Sequence, residues 1–388
     1  MGSNRRLTNE QLCDALAAAR SSTLARSLDL SDEQWVVPYN PYNQPTSWDL
    51  GHIGWFAEIW LLRGPHRPRS DGSIEAAGSA LFFGDDDHYD SAVVCHADRW
   101  LPPARDRAQL LDALEAQLEA VQQRLRSDDS RETSYFGHLA LYHECMHAEA
   151  LAWTRATCGY SPPADAAMPE IARSQQLRLR SHDAQIGSAP PGDEFAFDNE
   201  IPQHAVAVGE VSIDTQLVRN DAFLAFVEDG GYCRRELWPE WRPRRGMPER
   251  WHRKPDGSIL HRHYDQYVPL PLAQPVVHVN AFEAEAYCRW AGRRLPTAAE
   301  WEAASAMDGG MQWGHSVWEW TATTFASYRE PFVPGPYVTY SVPWFHHQRE
   351  LRGGAYTTSA VMHDRRYRNF FLAHRTDVFA GFRTVGDG

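Results

Sequence analysis

His143 and His147 stand four residues apart in a stretch with helical periodicity. Their imidazoles therefore project from one helix face about one turn apart and can grip a single metal ion. Alone, such a pair fits a surface or packing role equally well. His52 supplies a third imidazole, because it lies in W-D-L-G-H-I-G-W among apolar residues that predict burial. A buried imidazole without a partner is costly, and a metal satisfies it. Three imidazoles leave about three positions of an octahedral ion open, which is what binding both oxygen and a substrate atom requires. Zinc with three histidines and a water meets the same pattern. His138, five residues before His143, points elsewhere and reads as structural. Glu144 and Glu149 read as outer partners of the ligands or as solvated residues.

These residues need helices to position them. Residues 8–27 carry apolar positions at three- and four-residue spacing. A second helix is expected from Trp48 to Arg63, capped by Ser47 and stopped by Gly64-Pro65. A third fits 103–127, where Leu110, Leu111, Leu114, Leu118 and Val121 share a face. The fourth fits 132–158 and ends at Gly159. Four helices with intervening loops read as a bundle over residues 1–165. Beyond about residue 160, Pro and Gly become frequent and short strand-like pieces such as 204–214 appear. With 160–180 as linker, 180–388 reads as an irregular α+β domain with a helix at 281–291 and a further helix capped by Thr297.

A chain of 388 residues accommodates two such domains. The 43% hydrophobic and 23% charged composition is that of a folded soluble protein. A net charge of -13 argues against nucleic acid, whose phosphates require clustered Lys and Arg. The most apolar run, Ile53 to Leu62, is broken by Glu58 and is about half the length that crosses a bilayer. Without an apolar leader or a lipidation motif, a cytoplasmic protein is expected, with no membrane and no obligate protein partner. Six dispersed cysteines without a C-x-x-C pair point to reduced, structural thiols.

Four segments, 278–305 (HVNAFEAEAYCRWAGRRLPTAAEWEAAS), SVWEWT (316–321), LRGGAY (351–356) and AGFRTV (380–385), resemble in order the formylglycine-generating-enzyme fold, a C-type-lectin-like domain. The oxidase members of that fold use a cysteine pair after the RGG motif, and residues 355–388 contain no cysteine. Fold alone does not fix activity. Together with the histidine-bearing bundle, which resembles the DinB-like domain, the architecture is similar to that of the EgtB-type sulfoxide synthases. EDGGYCRRELW (228–238) and YRNFF (367–371) extend the resemblance over nearly the whole chain.

That resemblance implies Fe(II) held by His52, His143 and His147, and oxidative joining of a donor to imidazole C2 of hercynine, the trimethyl betaine of histidine, with O2 as oxidant. It matches the family's catalytic tyrosine to Tyr337 in GPYVTYS, with Tyr340 the neighbouring alternative. A phenol there can deliver a proton during the oxidation. Asn369 and Phe370 match positions that hold the trimethylammonium group, for which aromatic faces are the fitting chemistry.

The departures bear on the donor. Met146 stands where actinobacterial members have a Gln that contacts the imidazole, and Phe371 stands in place of an Asp. The arginine-rich segment that grips γ-glutamylcysteine is replaced by YDSAVVCHADRWLPP (89–103). The YDSA…RW pattern resembles the selenoneine synthases (SenA), whose donor is a selenosugar. Asp90, Ser91, His96, Asp98 and Trp100 offer the polar and stacking groups a sugar needs, while Arg99 is the one residue there able to receive a carboxylate. The expected activity is thus a selenoneine synthase, with an ergothioneine-type enzyme using cysteine or γ-glutamylcysteine as the alternative. Beyond these stand a zinc-dependent thiol transferase and a non-catalytic binding module.

Overall fold

The computed structural model describes residues 5–70, 72–102, 105–189, 194–307 and 309–387. The chain divides into two compact units. The first comprises Met1–Ala164 with two later returns, Pro190–Ala196 and Val333–Pro343; the second comprises Asp165–Ala189, Phe197–Phe332 and Trp344–Gly388.

The helices of the first unit are α1 (Asn9–Ala25), α2 (Asp32–Val36), α3 (Thr46–Leu61), α4 (Asp86–Tyr89), α5 (Arg107–Ser127) and α6 (Arg131–Cys158). Helix α1 packs on α5 and α6, and α3 packs on the same two, giving the expected four-helix bundle. Their ends follow capping chemistry. Thr8 and Asp106 each form a reciprocal capping box, Ser130 accepts from Thr133 N, and Gly159 closes α6 in the left-handed region with φ 69°. Ser47 is not a cap: α3 starts two residues earlier than expected, at Thr46, after Pro45, and no side chain caps it. The sequence reading missed α2, α4 and a small antiparallel hairpin, β1 (His66–Pro68) with β2 (Ile74–Ala76). Elements this short carry too few residues for periodicity to register.

Helix α3 is buried along its whole length, and that explains the charge inside its apolar run. The Glu58 carboxylate is fully enclosed and accepts backbone N–H groups of Leu81, Phe82 and Phe83 at 2.9–3.0 Å. Glu144 proves to be neither an outer ligand partner nor solvated. It is buried and accepts from the Arg20 guanidinium at 2.7 and 3.2 Å, fastening α6 to α1. Glu149 is also buried. His138 has the structural role expected, with Nδ1 on Ser134 O and Nε2 accepting from Leu7 N.

The second unit is α+β. Its helices are α7 (Asn220–Glu228), α8 (Ala281–Trp290) and α9 (Ala298–Ser305), and α9 is capped by Thr297 as expected. Strands β3 (Gln176–Leu179), β4 (His182–Ile186), β5 (His204–Val208) and β6 (Val211–Asp214) come first; β3 falls inside the stretch expected to be linker. The 204–214 segment splits between sheets, β5 pairing with β4 and β6 with β3. Strands β7 (Trp251–Arg253), β8 (Ile259–His263) and β9 (Gln266–Pro269) form a meander. A four-stranded sheet has the order β12 (Asn369–Phe371), β11 (Arg349–Arg352), β10 (Trp318–Thr324), β13 (Ala380–Gly381), and β14 (Val385–Asp387) joins β6.

The motifs behind the family resemblance are largely the buried polar skeleton of this unit. Glu319 of SVWEWT receives Arg383 of the AGFRTV segment at 2.5 and 2.7 Å and the Trp301 indole N–H at 2.8 Å. Glu350 lies between Arg352 Nε at 2.7 Å and Arg368 Nη2 at 2.8 Å, all essentially without solvent. Among the described residues, no helix is long and apolar enough to cross a membrane.

Candidate metal centre and active site

The three imidazoles expected from sequence converge within the first unit. One ring nitrogen from each of His52, His143 and His147 lies within 4.8 Å of the others. Two of the rings have fixed tautomers. His52 Nδ1 is 2.6 Å from the Tyr89 carbonyl, which only accepts, so Nδ1 carries the proton and Nε2 the lone pair. His147 Nδ1 donates to the buried Asp49 carboxylate at 3.0 Å, so there too Nδ1 carries a proton. His143 Nε2 lies 3.1 Å from His52 Nε2, and its Nδ1 is buried with no hydrogen-bond partner.

Burial, reinforced by the neighbouring imidazoles, holds His52 and His143 well below the ordinary imidazole range. Both are therefore neutral, ligand-ready donors at pH 7. At 3.1 Å His143 Nε2 can either donate to His52 Nε2 or join it in offering a lone pair, and three imidazoles whose ring nitrogens converge in one buried place are a donor set that fits a metal.

The rings are clamped by aromatic faces. Phe56 lies flat on His143, with centroids 3.6 Å apart and planes at 5°, and Trp48 stacks on His52 at 4.6 Å. The glycines flanking His52 have a steric role. A Cβ on Gly51 would stand 2.2 Å from the Tyr89 ring, and one on Gly54 would stand 2.4 Å from Phe83. Only glycine lets Tyr89 approach closely enough for its carbonyl to hold His52.

Tyr337 reaches this cluster on the Val333–Pro343 return. Its ring is 5.1 Å from Phe56 and 6.4 Å from His143. Burial raises its phenol above the ordinary value, opposed by hydrogen bonding from the Ser91 side chain and by the Arg99 charge. Tyr340 is 6.2 Å from Tyr337, ring to ring, and its hydroxyl is directed at the Met146 sulfur at 4.0 Å. The YDS segment thus has a positioning role that sequence reasoning missed: the Tyr89 carbonyl orients His52.

The other donor-segment residues are placed as follows. Asp90 is buried, accepts from Ala92 N at 2.9 Å and lines a cavity of about 250 Å³ with Glu75, Asp86, Asp87, Arg63 and Arg69. Arg99 stacks at 4.2 Å on the Trp48 ring, donates to Gln44 Oε1 at 2.6 Å and leaves Nε buried without a partner. Trp100 donates to Val37 O, His96 Nε2 is 2.9 Å from Asn40 O, and both rings pack on Tyr39; Asp98 is exposed. Asn369, Phe370 and Phe371 form β12 of the second unit, where Phe370 stacks on Phe325 at 4.1 Å and Arg375 covers Phe371 at 4.8 Å. Asp49 is absent from the sequence reading; its one local signal is that it stands three residues before His52 and shares that helix face, which does not identify His147 as its partner.

Two family profiles match the chain: the DinB superfamily over residues 15–151 and the sulfatase-modifying factor enzyme 1-like domain over 175–316. A hercynine oxygenase of Mycolicibacterium thermoresistibile is 30% identical, over 97% of this chain and 95% of that protein. The chain belongs to the hercynine oxygenase family. A second hercynine oxygenase, from Mycobacterium tuberculosis, is 30% identical over 97% of this chain and 99% of its own length. A formylglycine-generating enzyme of Streptomyces coelicolor is 33% identical, over 37% of this chain and 50% of that protein. As a member of the hercynine oxygenase family, the chain is a metal-dependent oxidoreductase.

Loss of the Asp49 carboxylate provides a test of the metal centre. Asp49→Asn should weaken metal binding by about 10–100-fold, because the amide oxygen can still accept but lacks the charge that holds the His147 ring, and the amide can also turn its NH2 group toward it. Competition with a chromogenic chelator measures this directly, and an affinity equal to that of the unaltered chain would refute the role.

Proposed function

We propose that this chain is an Fe(II)- and O2-dependent enzyme that joins a selenosugar to imidazole C2 of hercynine. In the balanced reaction, hercynine C2–H and the selenol Se–H each give up a hydrogen. One atom of O2 becomes the selenoxide oxygen, and the other leaves as water. The carrying observation is the buried three-imidazole cluster with Tyr337 beside it, in a chain of this family. Held by His52, His143 and His147, Fe(II) would supply the one-electron chemistry that O2 needs to react with closed-shell substrates.

The remaining roles belong to side chains. Tyr337, whose phenol burial keeps protonated at neutral pH, donates a proton, and Ser91 holds it in place. Tyr340 and Met146 stand beside it as a second phenol and an apolar wall. The trimethylammonium head is assigned to Asn369 and Phe370 on the resemblance alone, with aromatic faces worth up to about 2 kcal/mol; Phe371, where the family has an Asp, is assigned to the donor side. Tyr337→Phe should retain metal and hercynine binding while diverting turnover from C–Se coupling toward simple oxidation of the donor. Product analysis checks this. An unchanged distribution in Tyr337→Phe, with coupling lost in Tyr340→Phe, would transfer the role to Tyr340.

The donor reading is supported by the cavity beside Asp90. Glu75, Asp86, Asp87 and Asp90 outnumber Arg63 and Arg69 there, and Arg63 is already paired with Asp86 at 2.7 and 2.8 Å. Such a wall suits a neutral polyol and repels a peptide with two carboxylates. Each unmade charged hydrogen bond costs about 1.5–3 kcal/mol, so two give discrimination on the order of a hundredfold or more. Arg99, with Nε unpartnered, is the observation that favours the alternative of a cysteine or γ-glutamylcysteine donor. Hercynine, O2 and equal amounts of a 1-selenosugar and γ-glutamylcysteine should yield the selenium product. Predominance of the sulfur product would assign the chain to the ergothioneine type, and absence of O2 uptake with either donor would remove the enzymatic reading.

A further inference from the structure

Trp48, His52 and Trp55 stand at i, i+4 and i+7 of α3, so their rings line one helix face with the imidazole in the middle. Trp48 stacks on His52 with centroids 4.6 Å apart and planes at 13°, and Trp55 stands on its other side along the helix, 5.8 Å away at 20°. Three hydrogen bonds tie this row of rings to α4, a single helical turn. His52 Nδ1 donates to Tyr89 O at 2.6 Å, Trp48 Nε1 to His88 O at 2.7 Å and Trp55 Nε1 to Asp86 Oδ1 at 2.9 Å. Two of these acceptors are backbone carbonyls. The third, Asp86, is a side chain.

Asp86 is itself held from α3. The Arg63 guanidinium, two residues beyond the end of that helix, donates to both of its oxygens at 2.7 and 2.8 Å. Burial pushes the Asp86 carboxyl up, but the hydrogen bonds from Arg63 and Trp55 outweigh it and hold the pKa below the ordinary range, so the group is ionised at pH 7. A charged acceptor fixes an indole N–H more firmly than a neutral one. The hydrogen bond to Tyr89 holds one atom of the His52 ring, and the flanking indoles set the plane of the rest. That plane is the one in which Nε2 comes within 3.1 Å of His143 Nε2.

We propose that Asp86 is a positioning residue of the metal centre: through Trp55 it keeps the His52 ring in the orientation that lets it share one ion with His143 and His147. The proposal rests on the three-imidazole metal site. Asp87, the next residue, is exposed and lines the same cavity as Asp86, while both indole N–H groups have other partners. It carries the same charge without holding a ring, and so separates position from electrostatics.

Titration of the full-length, metal-free chain with Co(II), whose visible bands report the arrangement of its ligands, tests the role, with chelator competition for affinity and urea unfolding for stability. Asp86→Ala should move the bands and weaken binding by about tenfold, the lower end of what loss of a residue that orients a ligand costs. Asp86→Asn, whose amide oxygen still accepts from Trp55, should keep most of the affinity, and Asp87→Asn all of it. Trp55→Phe keeps a ring beside His52 but loses the N–H, so the Asp86→Ala, Trp55→Phe double variant should bind no more weakly than Trp55→Phe alone. Losses that add in the double variant, or unchanged bands and affinity in Asp86→Ala with only a lower urea midpoint, overturn the proposal. An unaltered chain that takes up no Co(II) removes the metal site itself, and the positioning role with it.

Discussion

His143→Ala and His147→Ala chains should purify without stoichiometric metal and without measurable coupling. Removing one of three imidazoles leaves two donors around a buried point, a larger loss than the 10–100-fold weakening typical of an altered outer partner, so affinity should fall by well over about a hundredfold. His147 is only half-buried, and its replacement leaves the flat Phe56–His143 stack intact. The fold should therefore survive. His138→Ala is the control, because that ring serves Leu7 and Ser134 and its loss should spare the metal. Metal analysis after anaerobic purification, with circular dichroism on the same samples, separates the outcomes. Stoichiometric iron in both ligand variants would sink the assignment.

Glu350→Leu should destabilise the second unit by about 3–5 kcal/mol, since it leaves Arg352 and Arg368 buried beside an apolar side chain. The same group gives a pH signature. Burial raises the Glu350 carboxyl, but the Arg368 and Arg352 charges outweigh it and hold the pKa below the ordinary value. A depressed carboxyl stabilises the fold above its unfolded pKa of about 4.3, and that contribution is lost as pH falls through the folded value. Urea midpoints of the unaltered chain should therefore drop below about pH 4, and those of Glu350→Gln should drop less. Parallel pH profiles would show that the arginines do not need this carboxylate ionised.

Much of this was legible because local chemistry and tertiary structure agree. Thr8, Asp106 and Ser130 cap where their side chains permit, Gly159 ends α6, and the spacing of His143 and His147 puts both rings on one face. His52 was legible from apolar surroundings that predict burial, which the enclosed α3 provides. Partners set by distant segments were not. Nothing local to Asp49 reveals an imidazole 98 residues away, and nothing in YDSA shows that a backbone carbonyl, not a side chain, orients His52. Glu144 was misread because a carboxylate beside a ligand on a helix is indistinguishable in sequence from one that clamps Arg20 of α1. The returns of the chain to the first unit were equally hidden, since Pro- and Gly-rich stretches mark a loop without saying where it goes.

The Val333–Pro343 return bears on how the protein can be dissected and on the order of its biosynthesis. A cut near residue 164 would leave all three imidazoles on one side and both tyrosines on the other, although one compact unit holds the proposed metal site and the proposed proton donor together. On the ribosome, which adds about 5–20 residues per second, the last metal ligand is made nearly two hundred residues before the phenol beside it. The three imidazoles of the proposed metal site are thus all made roughly ten seconds or more before Tyr337 exists.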